Sequence, residues 1–209
     1  MLTRHFILLP FLAAGLAGCV TASPRVEEGE LAKLQAEGSG IVLIHTSLND
    51  FDPAHVAVTL ARPDGPGRYA VWRQGVPIKF TLDSTKIPGQ LRLPAGEYGI
   101  VELFSVDRRE SRRFKARDVK LEGALLNKVY ERPLATFKIG PGEVVDIGSL
   151  RVAETRRETT LSGRTGGFAV KVTDMPEPLL RNLAEHNPHL FKARVVRPMV
   201  VPAQNPADG

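Results

Sequence analysis

The sequence predicts a mainly β chain: an antiparallel β-sandwich followed by one short C-terminal helix. Three observations carry that expectation. Between Ile41 and Thr173 the apolar residues come in short β-branched runs, several of them alternating, as in His55-Val-Ala-Val-Thr-Leu-Ala61. Pro- and Gly-rich turns separate the runs at 63–67, 94–96 and 140–142. A helical spacing of leucines (Leu179, Leu180, Leu183) emerges only after Asp174. With 43% hydrophobic and 24% charged residues the chain sits near globular averages.

The N-terminus reads differently. Arg4 precedes an apolar run from Phe6 to Gly15 that contains Pro10. A helix of about ten residues rises roughly 15 Å, half of what a bilayer core requires. A charged start, a short apolar middle and small residues at the break make a secretory signal peptide. The run closes on Leu16-Ala17-Gly18-Cys19. That tetrad resembles the lipobox of bacterial lipoproteins, which implies cleavage after Gly18 and acylation of Cys19. Two or three acyl chains hold a protein durably to a membrane, where one is marginal. Val20 is not the aspartate associated with inner-membrane retention, so a Gram-negative chain of this kind is expected on the periplasmic face of the cell outer membrane. Two other readings compete: cleavage near Val20-Thr21-Ala22 to give a free periplasmic protein, and an uncleaved anchor.

The expected organisation is a signal peptide over 1–18, a lipidated tether over 19–40, the sandwich over 41–174, and a helix with tail over 175–209. The tether contains a short helix around Leu31 and Leu34, with too little apolar face to bury much. Strands are expected at 41–46, 55–61, 68–73 and 78–82. Leu91-Arg-Leu-Pro-Ala-Gly-Glu-Tyr-Gly-Ile-Val-Glu-Leu-Phe104 gives the clearest sheet signal, a tight turn feeding a strand. Its alternation puts Tyr98, Ile100 and Glu102 on one face, Val101 and Leu103 on the other. A similar unit runs from Ala135 to Val152 around Gly140-Pro-Gly142, and 166–173 reads as the last strand.

Together, Leu-Pro-Ala-Gly-Glu-Tyr and Phe-x-Ile-x-Pro-Gly-Glu-Val-Val-Asp-Ile-Gly resemble bacterial envelope lipoproteins of unknown function with a prealbumin-like or carboxypeptidase-regulatory-like β-sandwich. The resemblance covers roughly Leu91 to Val152 and implies a fold, with no functional residue attached. The chain departs from it in the long insert Asp107–Asn127 and in Asp146, where an aromatic often sits. Beyond it, Asp174 and Glu177 have the spacing of a capping box, Pro188 is placed to end the helix, and 191–201 is apolar enough to dock as an edge segment.

Cys19 is the only cysteine. Its acylation leaves no thiol for a disulfide, a nucleophile or a thiolate metal site. His45, Asp50, Asp52 and His55 offer imidazole and carboxylate ligands within eleven residues, a weak zinc-like set without a recognised spacing. The plainer reading is a strand residue and an Asx turn. Glu97 and Glu102, five apart on one strand, point to opposite faces and do not make an acid/base pair. Gly163-Arg-Thr-Gly-Gly167 has no following Lys-Ser or Lys-Thr and reads as a turn.

The basic insert is the remaining candidate. Arg108, Arg109, Arg112, Arg113, Lys115 and Arg117 suit phosphate contact, and an anchored domain would turn them toward anionic lipid headgroups; a solvated, charged hairpin is the bland alternative. The net charge of +5 points the same way, and export makes nucleic acid an unsuitable partner. The expectation is a non-catalytic, cofactor-free structural, assembly or binding module, with an anionic lipid or envelope protein as partner. The alternatives are a pilotin-like chaperone and a metal-assisted hydrolase using His45, Asp50, Asp52 and His55.

Overall fold

Ile41-Val-Leu-Ile44 begins the strand on which the molecule is built. In the computed structural model, which describes residues 29–48, 56–71, 78–82, 86–106, 111–116, 119–122, 127–155, 158–160, 163–165 and 167–203, that strand is buried almost end to end. The chain runs through a helix α1 (Glu30–Ala36) and strands β1 (Ser39–Leu48), β2 (Val56–Pro63), β3 (Tyr69–Val71), β4 (Ile78–Leu82), β5 (Gly89–Pro94) and β6 (Gly96–Val106). It continues through β7 (Ser111–Lys115), β8 (Val119–Glu122), β9 (Asn127–Tyr130), β10 (Ala135–Ile139), β11 (Val144–Glu154), β12 (Glu158–Thr160), β13 (Gly163–Thr165) and β14 (Phe168–Thr173). Helices α2 (Glu177–His186) and α3 (Pro188–Ala193) and a final strand β15 (Arg194–Val196) complete it.

The strands make two sheets, the mainly β sandwich that the sequence predicts. The first has the order β14-β11-β1-β5, with β15 also paired to β11. The second has the order β10-β6-β2-β3-β9-β8, with β4 added on β2 and β7 on β6. β12 and β13 form a separate hairpin.

The first sheet is not wholly antiparallel. β1 lies parallel to β11, Ile41 opposite Val144, and β15 is also parallel to β11. The reason is burial on both faces, which is the usual setting of a parallel pair and the source of a continuous apolar run. One face of β1 carries Val42, Ile44 and Leu48 into the inter-sheet core, against Val58, Leu60, Tyr98, Ile100 and Phe137. The other carries Ile41 and Leu43 into a second core with Val144, Leu34 of α1, and Leu179, Leu183 and Leu190 of the C-terminal helices. Short helices thus cover the first sheet's outer face. The segment expected as a spacer contributes Leu34, fully buried, to that layer.

Both tight turns carry the chain between sheets. Pro94-Ala95-Gly96 joins β5 to β6, and Gly140-Pro141-Gly142 joins β10 to β11, so neither is a hairpin. They meet at the start of β1: Ala95 donates its N–H to Gly38 O, and Gly142 to Ser39 O. A Cβ on Gly40 would stand 2.7 Å from Gly140 O and 2.8 Å from Glu143 O, so only glycine fits this corner.

Four expectations need correction. A bulge on β6 moves the register between Thr59↔Glu102 and Leu60↔Ile100, so Ile100, Val101 and Leu103 are all buried and Glu102 leaves the face of Tyr98. Helix α2 is capped by Pro176 without a side-chain bond, not by Asp174. Pro188 starts α3 instead of only ending α2: at the first helical position its missing N–H is harmless, and Asn187 caps by accepting from Leu190 N–H at 3.4 Å. The last strand is β15, not the 166–173 run, of which Phe168–Thr173 forms β14.

Candidate functional site

Beneath the helices, the outer face of the first sheet turns from apolar to polar within one turn's length. His45 of β1 and Ser149 of β11 are register partners, each about 2% exposed, and their Nδ1 and Oγ atoms lie 2.8 Å apart. Between Asp146 and Ser149, β11 bulges at Gly148, which has φ +81. A Cβ there would stand 2.6 Å from Thr173 O. Gly148 donates its N–H to Asp146 Oδ1 at 2.9 Å.

Asp146 Oδ2 faces Arg194 Nη1 at 3.6 Å, an ionic contact longer than a hydrogen bond, and Arg194 lies over the Phe191 ring at 4.9 Å. Burial pushes the Asp146 carboxyl above its ordinary value; the Gly148 N–H and Arg194 oppose that, and Asp174 adds to it. The seam therefore holds two polar contacts, His45–Ser149 and Asp146–Arg194. His45 and Ser149 have the residue types of a nucleophilic pair, but their burial leaves no approach for a substrate.

The outer face of the second sheet is organised around β6. Tyr69 donates to Glu97 Oε1 at 2.6 Å and Lys138 Nζ lies 3.1 Å from Glu97 Oε2, so Glu97 is held below the usual carboxylate range by Tyr69 first and Lys138 second. Burial, with Glu97 adding, pushes the Tyr69 phenol up to about 12. Arg113 Nε lies 3.0 Å from Glu102 Oε1, with its guanidinium 4.9 Å from the Phe104 ring centroid. Because the β6 bulge adds a residue between them, five-residue spacing no longer separates Glu97 and Glu102 onto opposite faces. Each is instead engaged by its own cation.

The C-terminal segment closes one side of the sandwich. β15 pairs with β11; Arg197 and Met199 donate their N–H groups to Asp146 O and Ile147 O; Val200 bridges to Thr136 of β10. Arg197 grips both carboxylate oxygens of Glu143, at 3.0 and 3.2 Å, while Gly140 N–H donates to Glu143 Oε2 at 2.7 Å. Arg197 and then Gly140 hold the Glu143 carboxyl below its ordinary value. Met199 is buried in the inter-sheet core.

Of the basic insert, Arg113 and Lys115 have described side chains, both exposed, and they sit on β7 opposite Phe104 and Glu102. Arg112 lies on the same strand opposite Ser105. Arg108, Arg109 and Arg117 lie outside the described residues, as do Cys19, Asp50, Asp52 and His55. Of the four metal candidates, His45 alone is described, and among the described residues no group of three or more His, Cys, Asp or Glu comes together. The Asp146–Arg194 pair was missed by sequence reading; its one signal was an aspartate inside Val144-Val-Asp-Ile147, a charged residue in an otherwise apolar strand.

No family model, no curated protein and no solved structure matches this chain.

Proposed function

We propose that the chain is a lipid-anchored, non-catalytic envelope protein, whose sandwich is held at the periplasmic face of the outer membrane as a structural, assembly or binding module. The observation that carries this reading is Leu16-Ala17-Gly18-Cys19 at the end of a short apolar run, with Cys19 the only cysteine of the chain. Anchoring converts weak contacts into useful ones by raising local concentration, so such a domain needs no deep pocket or reactive centre to act. The non-catalytic part is supported by the polar seam, where His45 and Ser149 are engaged with each other and shut from solvent.

Mass analysis of the N-terminal peptide from membranes tests the reading. The expected product begins at Cys19 and carries a diacylglyceryl group, and Cys19→Ser removes both the mass and membrane retention. An unmodified N-terminus beyond Cys19, with the protein in the soluble fraction, refutes it.

A further inference from the structure

β14 and β15 lie end to end along one side of β11, because β1 occupies the other side from Val144 to Val152. The C-terminal segment closes the β15 half of that side, where Val200 exchanges main-chain hydrogen bonds with Thr136 of the second sheet. The β14 half is different. Among the described residues β14 has β11 as its only strand partner. The Phe168 ring of β14 meets Phe114 of β7 edge to face, with centroids 5.6 Å apart.

An unpaired strand edge is a template for another strand unless the fold blunts it. The other margins of the first sheet are blunted. β15 is three residues long and is followed by Arg197 and Pro198. β5 ends on Pro94 and holds Arg92 against Glu30 of α1. β14 has six residues without proline, glycine or a break in register, and its one charge is Lys171. Its inward side chains Phe168, Val170 and Val172 pack on the inter-sheet core but are only partly buried, so a further strand would remove apolar surface from water. Its outward side chains Ala169 and Lys171 are exposed.

Charge selects the strand that fits. Lys171 stands directly opposite Arg151 of β11, both exposed, and like charges facing each other across a strand pair repel. Among the described residues no carboxylate lies within ion-pair distance of Lys171. A carboxylate at the adjoining outward position of an added strand supplies the opposite charge. A second copy of β14 would instead add another cation to the same outward face.

We propose that β14 is the edge on which this domain takes up an extended segment of another protein, with apolar residues turned inward and acidic residues beside Lys171. This rests on the binding-module part of the reading above and not on the anchor: N-terminal mass analysis reads Cys19, and a peptide titration reads the edge. The test titrates the full chain with a short acetylated peptide that alternates valine with glutamate, followed by calorimetry and amide hydrogen exchange. The expected result is binding with new protection at amides of Phe168–Thr173. The same peptide with lysine for glutamate binds about fivefold more weakly or not at all, the scale of a cross-strand charge pair, and a central proline abolishes binding. Lys171→Glu, an exposed change that faces Arg151, reverses the preference between the two peptides, and Lys171→Gln weakens it; thermal melting checks that both variants are folded. Equal binding of the two peptides, protection at β15 or β7 instead of β14, or no binding overturns the proposal and leaves the Cys19 anchor untouched. So does dimerisation that protects β14 without peptide, which assigns the edge to a second copy.

Discussion

Thr46 shows how little slack single side chains have in this fold. It is fully buried on β1, and its Oγ1 has no hydrogen-bond partner. An unsatisfied hydroxyl costs roughly 1–3 kcal/mol, so Thr46→Val, nearly the same shape, is expected to raise unfolding free energy by about 1 kcal/mol in urea titration. Gly148→Ala works the other way. The left-handed backbone at φ +81 alone costs a side chain roughly 1–2 kcal/mol, and the approach to Thr173 O adds to it, so a clear loss of stability is expected. Asp146 gives a pH signature. Its folded-state value is raised by burial, so its favourable contribution is present at low pH and declines as pH rises through the raised value. Compared with Asp146→Asn, the wild type should therefore lose relative stability between acid and neutral pH; a constant difference would refute the role given to burial.

At the scale of elements, the closing segment is held by the Glu143–Arg197 pair and by main-chain bonds. Glu143 is lowered, so its contribution is present above the ordinary value of 4.5 and is lost as pH falls through the lowered one. The protection factors of the Arg197, Met199 and Val200 amides are expected to fall below that range. Arg197→Ala should lower the same protection factors at neutral pH, with global stability changed by about 1 kcal/mol or less because the pair is partly exposed. Elements also show what was legible beforehand. Strands bounded by Pro and Gly were readable because turn chemistry is local. The parallel partnership of β1 and β11 was not, although the unbroken apolar run Ile41–Ile44 is what burial on both faces writes into a sequence. The β6 bulge was invisible because alternation assumes a regular pleat, and Glu102 changed faces with it. Of the candidate site, Asp146 was legible as a charged residue inside an apolar strand, whereas its partner Arg194 was not, because a contact brought in by the C-terminal segment leaves no local pattern.

For the whole molecule, the two cores make separate demands. Leu183 is fully buried between helix and sheet, and Leu183→Ala should cost about 2–5 kcal/mol if the helical layer unfolds together with the sandwich. Calorimetry would then show one transition at lower temperature. Two separated transitions would mean that the layer is an independent unit.

The corner where β1 begins has a consequence for the order in which the chain acquires its structure. The strand made first has its parallel neighbour in β11, and the His45–Ser149 contact spans 104 positions along the chain. Such a partnership closes a long loop before it returns any contact energy, which makes folding slow. A chain emerging N-terminus first therefore carries its central strand half-paired until Val144 and its successors arrive. Its first half already holds the partners for the β2–β4, β2–β6 and β6–β7 pairs, whereas the first sheet locks only when the late strands close around the early one.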